Sequence, residues 1–291
     1  MDLRTLQYFV TIVEEKTITA AAEKLHMTQP PLTMQLHALE RELGCSLFRR
    51  EGRGLKPTDA GRQMYRRATE ILNMCANAKQ EMTEYQLGAR GVLRIGVISS
   101  VQGTVFSEWM AAYHNQYPNI QISVVSGNTY QLLERLTNHE LDLAVTRTPF
   151  AAAGLDVSYL QQEEIFAVGH RRFFQNTGTV LSLEALSHPP LIIYRRWQHV
   201  IEAAFEHKGL TPNIYCINDD APMTLALSLR GLGVGLMHQS ALPTVLPPDM
   251  SALPLPEKTL LSQIALVCLQ KEALSEPAVH FWNLIEPKKT R

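Results

Sequence analysis

Cysteine is scarce: four residues in 291, Cys45, Cys75, Cys216 and Cys268, with no C-x-x-C pair and no histidine at metal-ligand spacing. That excludes a disulfide framework and a zinc-finger type of site. The thiols read as structural, and none has a resolving partner that would mark a redox switch. Long apolar runs are also missing: nothing approaches the 18 or so residues needed to span a bilayer, and Met1-Asp2-Leu3-Arg4 does not lead into the apolar core of a secretory signal. A cytoplasmic protein with no membrane partner is expected. The third absence is an excess of positive charge, since a net charge of −1 is not the signature of a simple nucleic-acid binder. What remains is an ordinary globular composition, 45% hydrophobic and 19% charged, in a chain long enough for two or three domains.

Charge distribution is more telling than its sum. Residues 1–90 hold 13 Lys and Arg against 11 Asp and Glu, and the rest 14 against 17. Within the first part, Arg49, Arg50, Arg53 and Lys56 fall in one eight-residue stretch interrupted only by Glu51. Ahead of that stretch, Leu3, Leu6, Phe9, Val10 and Val13 recur at helical spacing and predict a first amphipathic helix. Thr17 or Thr19 can cap a second, whose Ala20-Ala21-Ala22 permits close helix crossing, and His26-Met27 makes the turn. Thr28 is the next cap candidate, with Pro30 and Pro31 in the first turn, where a missing N–H costs little. Along this third helix Leu32, Leu36, Leu39 and Leu43 share one face, while Thr33, Met34, His37 and Arg41 lie opposite.

Two short helices joined by a tight turn, the second presenting a polar face, form the geometry that places side chains in a major groove. Gln29, Thr33, Met34 and His37 would face base edges: glutamine can pair with adenine, and threonine and methionine can meet a thymine methyl. A small helical bundle with a solvated polar face is the alternative. Leu47-Phe48-Arg49-Arg50 through Gly54-Leu55-Lys56-Pro57 reads as a hairpin whose cations could neutralise phosphates, or as a solvated basic turn. Thr58 and Asp59 then open a helix running to about Leu87, with a stripe of Ala60, Met64, Ala68, Ile71, Cys75, Ala78, Met82 and Tyr85 that implies a partner chain, and Gly88 closing it.

Leu6-Gln7-Tyr8-Phe9, Thr19 to Leu25, Met27-Thr28-Gln29-Pro30-Pro31-Leu32-Thr33, Leu39-Glu40, Leu43-Gly44, Leu47-Phe48-Arg49-Arg50 and Thr58-Asp59-Ala60-Gly61 resemble LysR-type regulators in order and spacing, and the likeness covers the whole chain. The resemblance implies an α/β protein with an N-terminal winged helix-turn-helix over residues 1–58 and a linker and dimerisation helix over 59–88. Beyond these it implies a periplasmic-binding-protein-like effector domain over 91–291, with one subdomain at about 91–161 and 266–291 and the other at about 162–265. It further implies double-stranded operator DNA as partner, a homodimer through the linker, assembly as a homotetramer, RNA polymerase as a candidate contact, and no enzyme activity. One departure is Thr33-Met34, where family members frequently carry Ser followed by Arg or Gln; fewer hydrogen bonds to bases follow.

From Val92 onward, apolar runs at 92–97, 120–125, 141–145, 165–168, 191–194, 234–237 and 264–269 alternate with helical stretches, predicting mainly parallel sheets. Ligands of such folds sit beyond the carboxyl ends of the strands, at helix N-termini. Those ends carry Ser99, Ser100, Asn128, Thr129, Arg147 and Thr224, hydroxyls and amides that with an arginine suit a small anion such as a carboxylate, each residue being equally an ordinary cap. The resemblance favours Ser99, Ser100 and Thr129 as cleft residues. Arg195 and Arg196 could face the same cleft, with Arg195 preferred. His170, His199 and His238 are isolated, of the kind more often satisfied in place than metal-bound, so no metal and no cofactor is assigned. Gly231-Leu232-Gly233-Val234-Gly235 follows a helix and enters a strand, the reverse of a dinucleotide fingerprint. A solute-binding sensor without a DNA role would leave the first ninety residues unexplained, and an α/β enzyme would need a base, nucleophile or cofactor loop.

Overall fold

The computed structural model describes residues 1–51, 54–86, 91–175 and 178–286. Arg53 and Gly88 lie outside the described residues. The chain divides into two compact units, Met1–Gly88 with Thr137–Glu140, and Ala89–Leu136 with Leu141–Arg291.

In the first unit, helices α1 (Leu3–Glu15), α2 (Ile18–Lys24) and α3 (Gln29–Leu43) are followed by a hairpin of β1 (Phe48–Glu51) and β2 (Gly54–Pro57) and by the long α4 (Asp59–Gln86). Local chemistry sets the boundaries. Asp2 accepts from the Thr5 N–H, Thr17 rather than Thr19 accepts from the Ala20 N–H, and Lys16 ends α1 in the left-handed region. The apolar stripes converge on one core: Leu6, Phe9, Val10 and Ile12 from α1, Ala21 and Ala22 from α2, Leu32, Leu36 and Leu39 from α3, then Leu47 and Ala68. Burial of each large side chain contributes about 1.5–3 kcal/mol. Leu43, expected on that face, is 38% exposed. It is the last residue of α3, which Gly44 terminates at φ +68°, and Leu47 takes the core position beyond it. Leu3 is likewise exposed, at the other edge.

The hairpin and α4 are locked together at Leu47. Thr58 donates its N–H to the Leu47 carbonyl and its hydroxyl to the Ser46 carbonyl, and its oxygen accepts from the Gly61 N–H at 3.0 Å. A Cβ on Gly61 would stand 2.0 Å from the Leu47 carbonyl oxygen, so only glycine permits this approach.

Among its described residues the second unit holds ten strands in two five-stranded sheets. Its strands are β3 (Val92–Ile98), β4 (Gln121–Gly127), β5 (Leu143–Arg147), β6 (Asp156–Glu163), β7 (Ile165–His170), β8 (Leu191–Tyr194), β9 (Ile214–Asn218), β10 (Val234–His238), β11 (Met250–Leu255) and β12 (Ser262–Cys268). The first sheet has the order β4-β3-β5-β12-β6 and the second β11-β7-β10-β8-β9. Helices α5 (Val105–Gln116), α6 (Thr129–Thr137), α7 (Leu183–Leu186), α8 (Gln198–Glu206), α9 (Ala221–Leu229) and α10 (Glu276–Ile285) complete it. Each sheet has its own core, one around Ile95, Tyr113, Leu143, Leu266 and Phe281, the other around Val168, Leu191, Ile193, Phe205 and Leu236.

The expectation of mainly parallel sheets is corrected: four of the eight strand pairings are antiparallel. All four involve β6, β7, β11 or β12, the strands flanking the two places where the chain passes from one sheet to the other. These strands are not joined to their neighbours by a helical return, so nothing imposes parallel pairing. The glycines before β10 serve packing, since a Cβ on Gly233 would lie 2.5 Å from the Pro190 carbonyl.

Candidate functional site

On the first unit, Gln29, Thr33, Met34 and His37 line a shallow groove of about 1090 Å³ on the outer side of α3. Met34, 63% exposed, is its apolar point. Gln29 is held from behind: its side-chain N–H donates to the Thr19 hydroxyl at 3.0 Å, leaving its carbonyl oxygen turned to other partners. Thr33 donates back to the Gln29 carbonyl at 3.0 Å, and His37 meets Glu40 at 3.2 Å. Thr28 precedes the helix but makes no capping bond. The reason is local: a cap oxygen takes the N–H of the second or third helical residue, and those are Pro30 and Pro31, which have none.

Glu40 joins α3 to the hairpin by accepting the N–H groups of Leu47 at 2.7 Å and Phe48 at 3.4 Å, a tie that sequence reasoning missed because an acid on a helix face is unremarkable. Within the hairpin, Arg49 pairs across with Lys56 and Arg50 with Leu55. Arg49 and Lys56 therefore share the outward face, with Glu51 bridging to Lys56 at 3.0 Å, whereas Arg50 shares the face of Phe48 and Leu55, which pack on the core. All three cations are exposed. On α4, Ala68 is buried, while Ile71, Cys75 and Met82 of the same stripe are exposed.

In the second unit, a cleft of about 810 Å³ opens between the carboxyl ends of the two sheets. Ser99, Ser100, Asn128, Thr129, Arg147 and Arg195 all line it; Thr224 does not. Thr224 is buried under the first turn of α9, its hydroxyl engaged by Asn218 and the Asp220 carbonyl. Asn128 and Gln131 cap α6 reciprocally at 3.0 Å each, so the Asn128 oxygen is already used. Asp220 caps α9, and Ser99 accepts the Ala221 N–H from the opposite sheet.

The two neighbouring arginines differ. Arg195 is exposed and paired with Asp219 at 3.0 Å. Arg196 crosses the cleft, donating to the Thr129 hydroxyl at 2.5 Å and to the carbonyls of Arg147 and Pro149. Its acceptors are all neutral. Arg147 is deeper and already neutralised: it meets the buried Glu163 at 3.0 Å, Ser262 at 2.9 Å and Ser240 at 2.8 Å. Glu163 ends β6 and Ser262 begins β12, so one guanidinium grips both crossings between the sheets.

Beside them lies His238, one of the isolated histidines expected to be satisfied. It is buried against Trp197, ring centroids 5.0 Å apart, and neither ring nitrogen has a protein partner. Burial, reinforced by Arg147 and Arg196, holds its pKa well below the usual histidine range, so the imidazole is neutral. Burial also pushes the Tyr194 phenol up, keeping it protonated. Of nine partnerless buried side-chain polar atoms among the described residues, five belong to Arg147, Tyr194, Arg196 and His238 on this cleft. Elsewhere, burial pushes the Cys268 thiol up to about 12, far from a reactive thiolate.

A helix-turn-helix with a basic hairpin, and a separate α/β unit with a polar cleft, define a DNA-binding protein with a ligand-binding domain. Residues 3–62 match the bacterial regulatory helix-turn-helix protein, lysR family, and residues 86–288 the LysR substrate binding domain. The chain is 31% identical over 246 residues to the nitrogen assimilation regulatory protein nac of Escherichia coli (strain K12), covering 83% of this chain and 79% of that one. It is 28% identical to the HTH-type transcriptional regulator BsdA of Bacillus subtilis (strain 168), covering 98% and 100%. The crystal structure of CbnR, a LysR family transcriptional regulator, superposes with TM-score 0.73 at 23% identity over 98% of each chain. The protein belongs to the LysR family of DNA-binding transcriptional regulators, carrying an effector-binding domain behind its helix-turn-helix. That membership sets aside the reading as a sensor without a DNA role.

Proposed function

We propose that this regulator reads an operator through the outer face of α3, with Gln29, Thr33 and Met34 at base edges and Thr28, Arg49, Arg50 and Lys56 on flanking phosphates, and that a small anion in the cleft controls the outcome. DNA as partner puts its action in the cytoplasm. CbnR has been crystallised with its target DNA, which supports the DNA half of the reading. The exposed stripe of Ile71, Cys75 and Met82 supports dimerisation along α4, from which a homotetramer can be built. The observation that carries the sensing half is the convergence of partnerless buried polar atoms on one cleft. Buried polar groups are satisfied as a rule, so a cluster of them without protein partners on one cleft supports a polar ligand there. An acid fits because Arg196 supplies a cation with only neutral acceptors around it.

Selection from a random duplex pool tests the reading face. Gln29→Ala is expected to change the preferred base at one position of each half-site, by about 1–3 kcal/mol of discrimination. Recovery of an unchanged motif would remove Gln29 from the base-reading set.

A further inference from the structure

We infer that the cleft's ligand is a monocarboxylate bearing a hydroxyl group, and that His238 is the residue that tells it from the plain acid. The inference rests on the reading of this cleft as the effector site.

Charge sets the first half. Arg147 is answered by Glu163 at 3.0 Å, both buried. Arg195 is answered by Asp219 outside, and Asp220 is spent on capping α9. Among the described cleft residues, Arg196 is the cation with no carboxylate ion-paired to it, and Asp220 keeps its negative charge while capping α9, so the cleft matches one carboxylate better than two. A second carboxylate would have to be desolvated without a cation of its own.

Hydrogen-bonding capacity sets the second half. A neutral imidazole presents one donor and one acceptor, and in His238 both are buried without a protein partner. A carboxylate oxygen can satisfy the donor but has no proton for the acceptor. The Nε–H groups of Arg147 and Arg196 and the Tyr194 hydroxyl are donors, but none of them reaches an imidazole nitrogen in the structure, so the ring acceptor is left for the ligand. A hydroxyl both gives and receives a hydrogen bond, and so fills what an anion leaves open. Tyr194, also partnerless, stands on β8, which runs parallel to and beside β10, whose last residue is His238. Both side chains line the same cleft, so one ligand can present groups to each. Discrimination of this kind is strong, because the analogue without the hydroxyl leaves buried polar atoms unpaired.

Isothermal titration of the full-length protein with matched pairs tests this: propionate and lactate, butyrate and 3-hydroxybutyrate, benzoate and each hydroxybenzoate. In the wild type, the hydroxylated member of at least one pair is expected to bind tenfold tighter or better, equivalent to about 1.4 kcal/mol. His238→Phe should bring that ratio to within twofold, while His238→Asn, which keeps a donor and an acceptor, should retain most of it. Equal binding within every pair, or a preference that survives in His238→Phe, overturns the inference while leaving the anion reading intact. Failure of every acid to bind the wild type overturns both. If His238→Phe does not fold, the wild-type ratios and His238→Asn still decide.

Discussion

Replacing Arg147 with methionine removes the guanidinium that grips both sheet crossings and leaves Glu163 charged, buried and held only by the hydroxyl and N–H of Ser240. Both partners are almost wholly enclosed, at 2% and 3% exposed, so solvent cannot take over the lost role. Breaking such a pair from one side costs about 3–5 kcal/mol. For a unit of roughly 200 residues this lowers the melting temperature by roughly 6–20 °C. All three tryptophans, Trp109, Trp197 and Trp282, belong to this unit, so tryptophan fluorescence follows its unfolding without interference from the helix-turn-helix. In Arg147→Met/Glu163→Gln the uncompensated charge is gone and the amide oxygen can still accept from Ser240, so stability should return to within about 1 kcal/mol of the wild type. A single variant that melts within 2 °C of the wild type, or a double variant no better than the single, would refute the reasoning.

Gly61→Ala places a methyl against the Leu47 carbonyl and forces α4 away from the base of the hairpin, at a cost of about 1–3 kcal/mol. Circular dichroism at 222 nm should show an earlier unfolding step, with tryptophan fluorescence unchanged and DNA affinity reduced on every sequence; an unaltered early step would count against the contact. His238 makes the second unit sensitive to acid. Its pKa is lower in the folded protein than the 6.5 of an exposed histidine, so below pH 6.5 the unfolded chain binds one more proton. The stability is thus fully present above pH 6.5 and lost as pH falls, by up to about 1.4 kcal/mol per pH unit. Urea midpoints at pH 7.5, 6.5 and 5.5 should show this slope in the wild type and a shallower one in His238→Asn; equal slopes would contradict it.

The helix-turn-helix is legible in the sequence because each of its signals is local: caps, prolines, a glycine stop and the 3.6-residue period all act within a few residues. Even there, Leu43 needed the core's edge to be known, and the missing cap at Thr28 depended on noticing that Pro30 and Pro31 remove the donors. In the second unit the strands that sequence reading leaves out, β6, β9 and β11, are all sheet edges and partly exposed; β6 and β11 lack an apolar run, and β9 has only the short Ile214 to Ile217. Cleft residues at strand ends were visible as hydroxyls and amides, yet the choice between Arg195 and Arg196 turns on which side of one short turn faces Thr129 and Pro149. His238 had no signal at all, since a buried imidazole without partners differs from a satisfied one only in its neighbours.

Coupling between cleft and DNA is the central claim, and Arg196 carries it. With a duplex chosen by the selection above, fluorescence anisotropy would give the DNA affinity of full-length protein with and without the tightest acid of the panel. A change of about fivefold or more is expected, and by linkage DNA must change the acid's affinity by the same factor. Arg196→Met should lose that response while binding the duplex alone within twofold of the wild type. DNA affinity unmoved by an acid that binds the cleft, or a full response in Arg196→Met, would contradict the account.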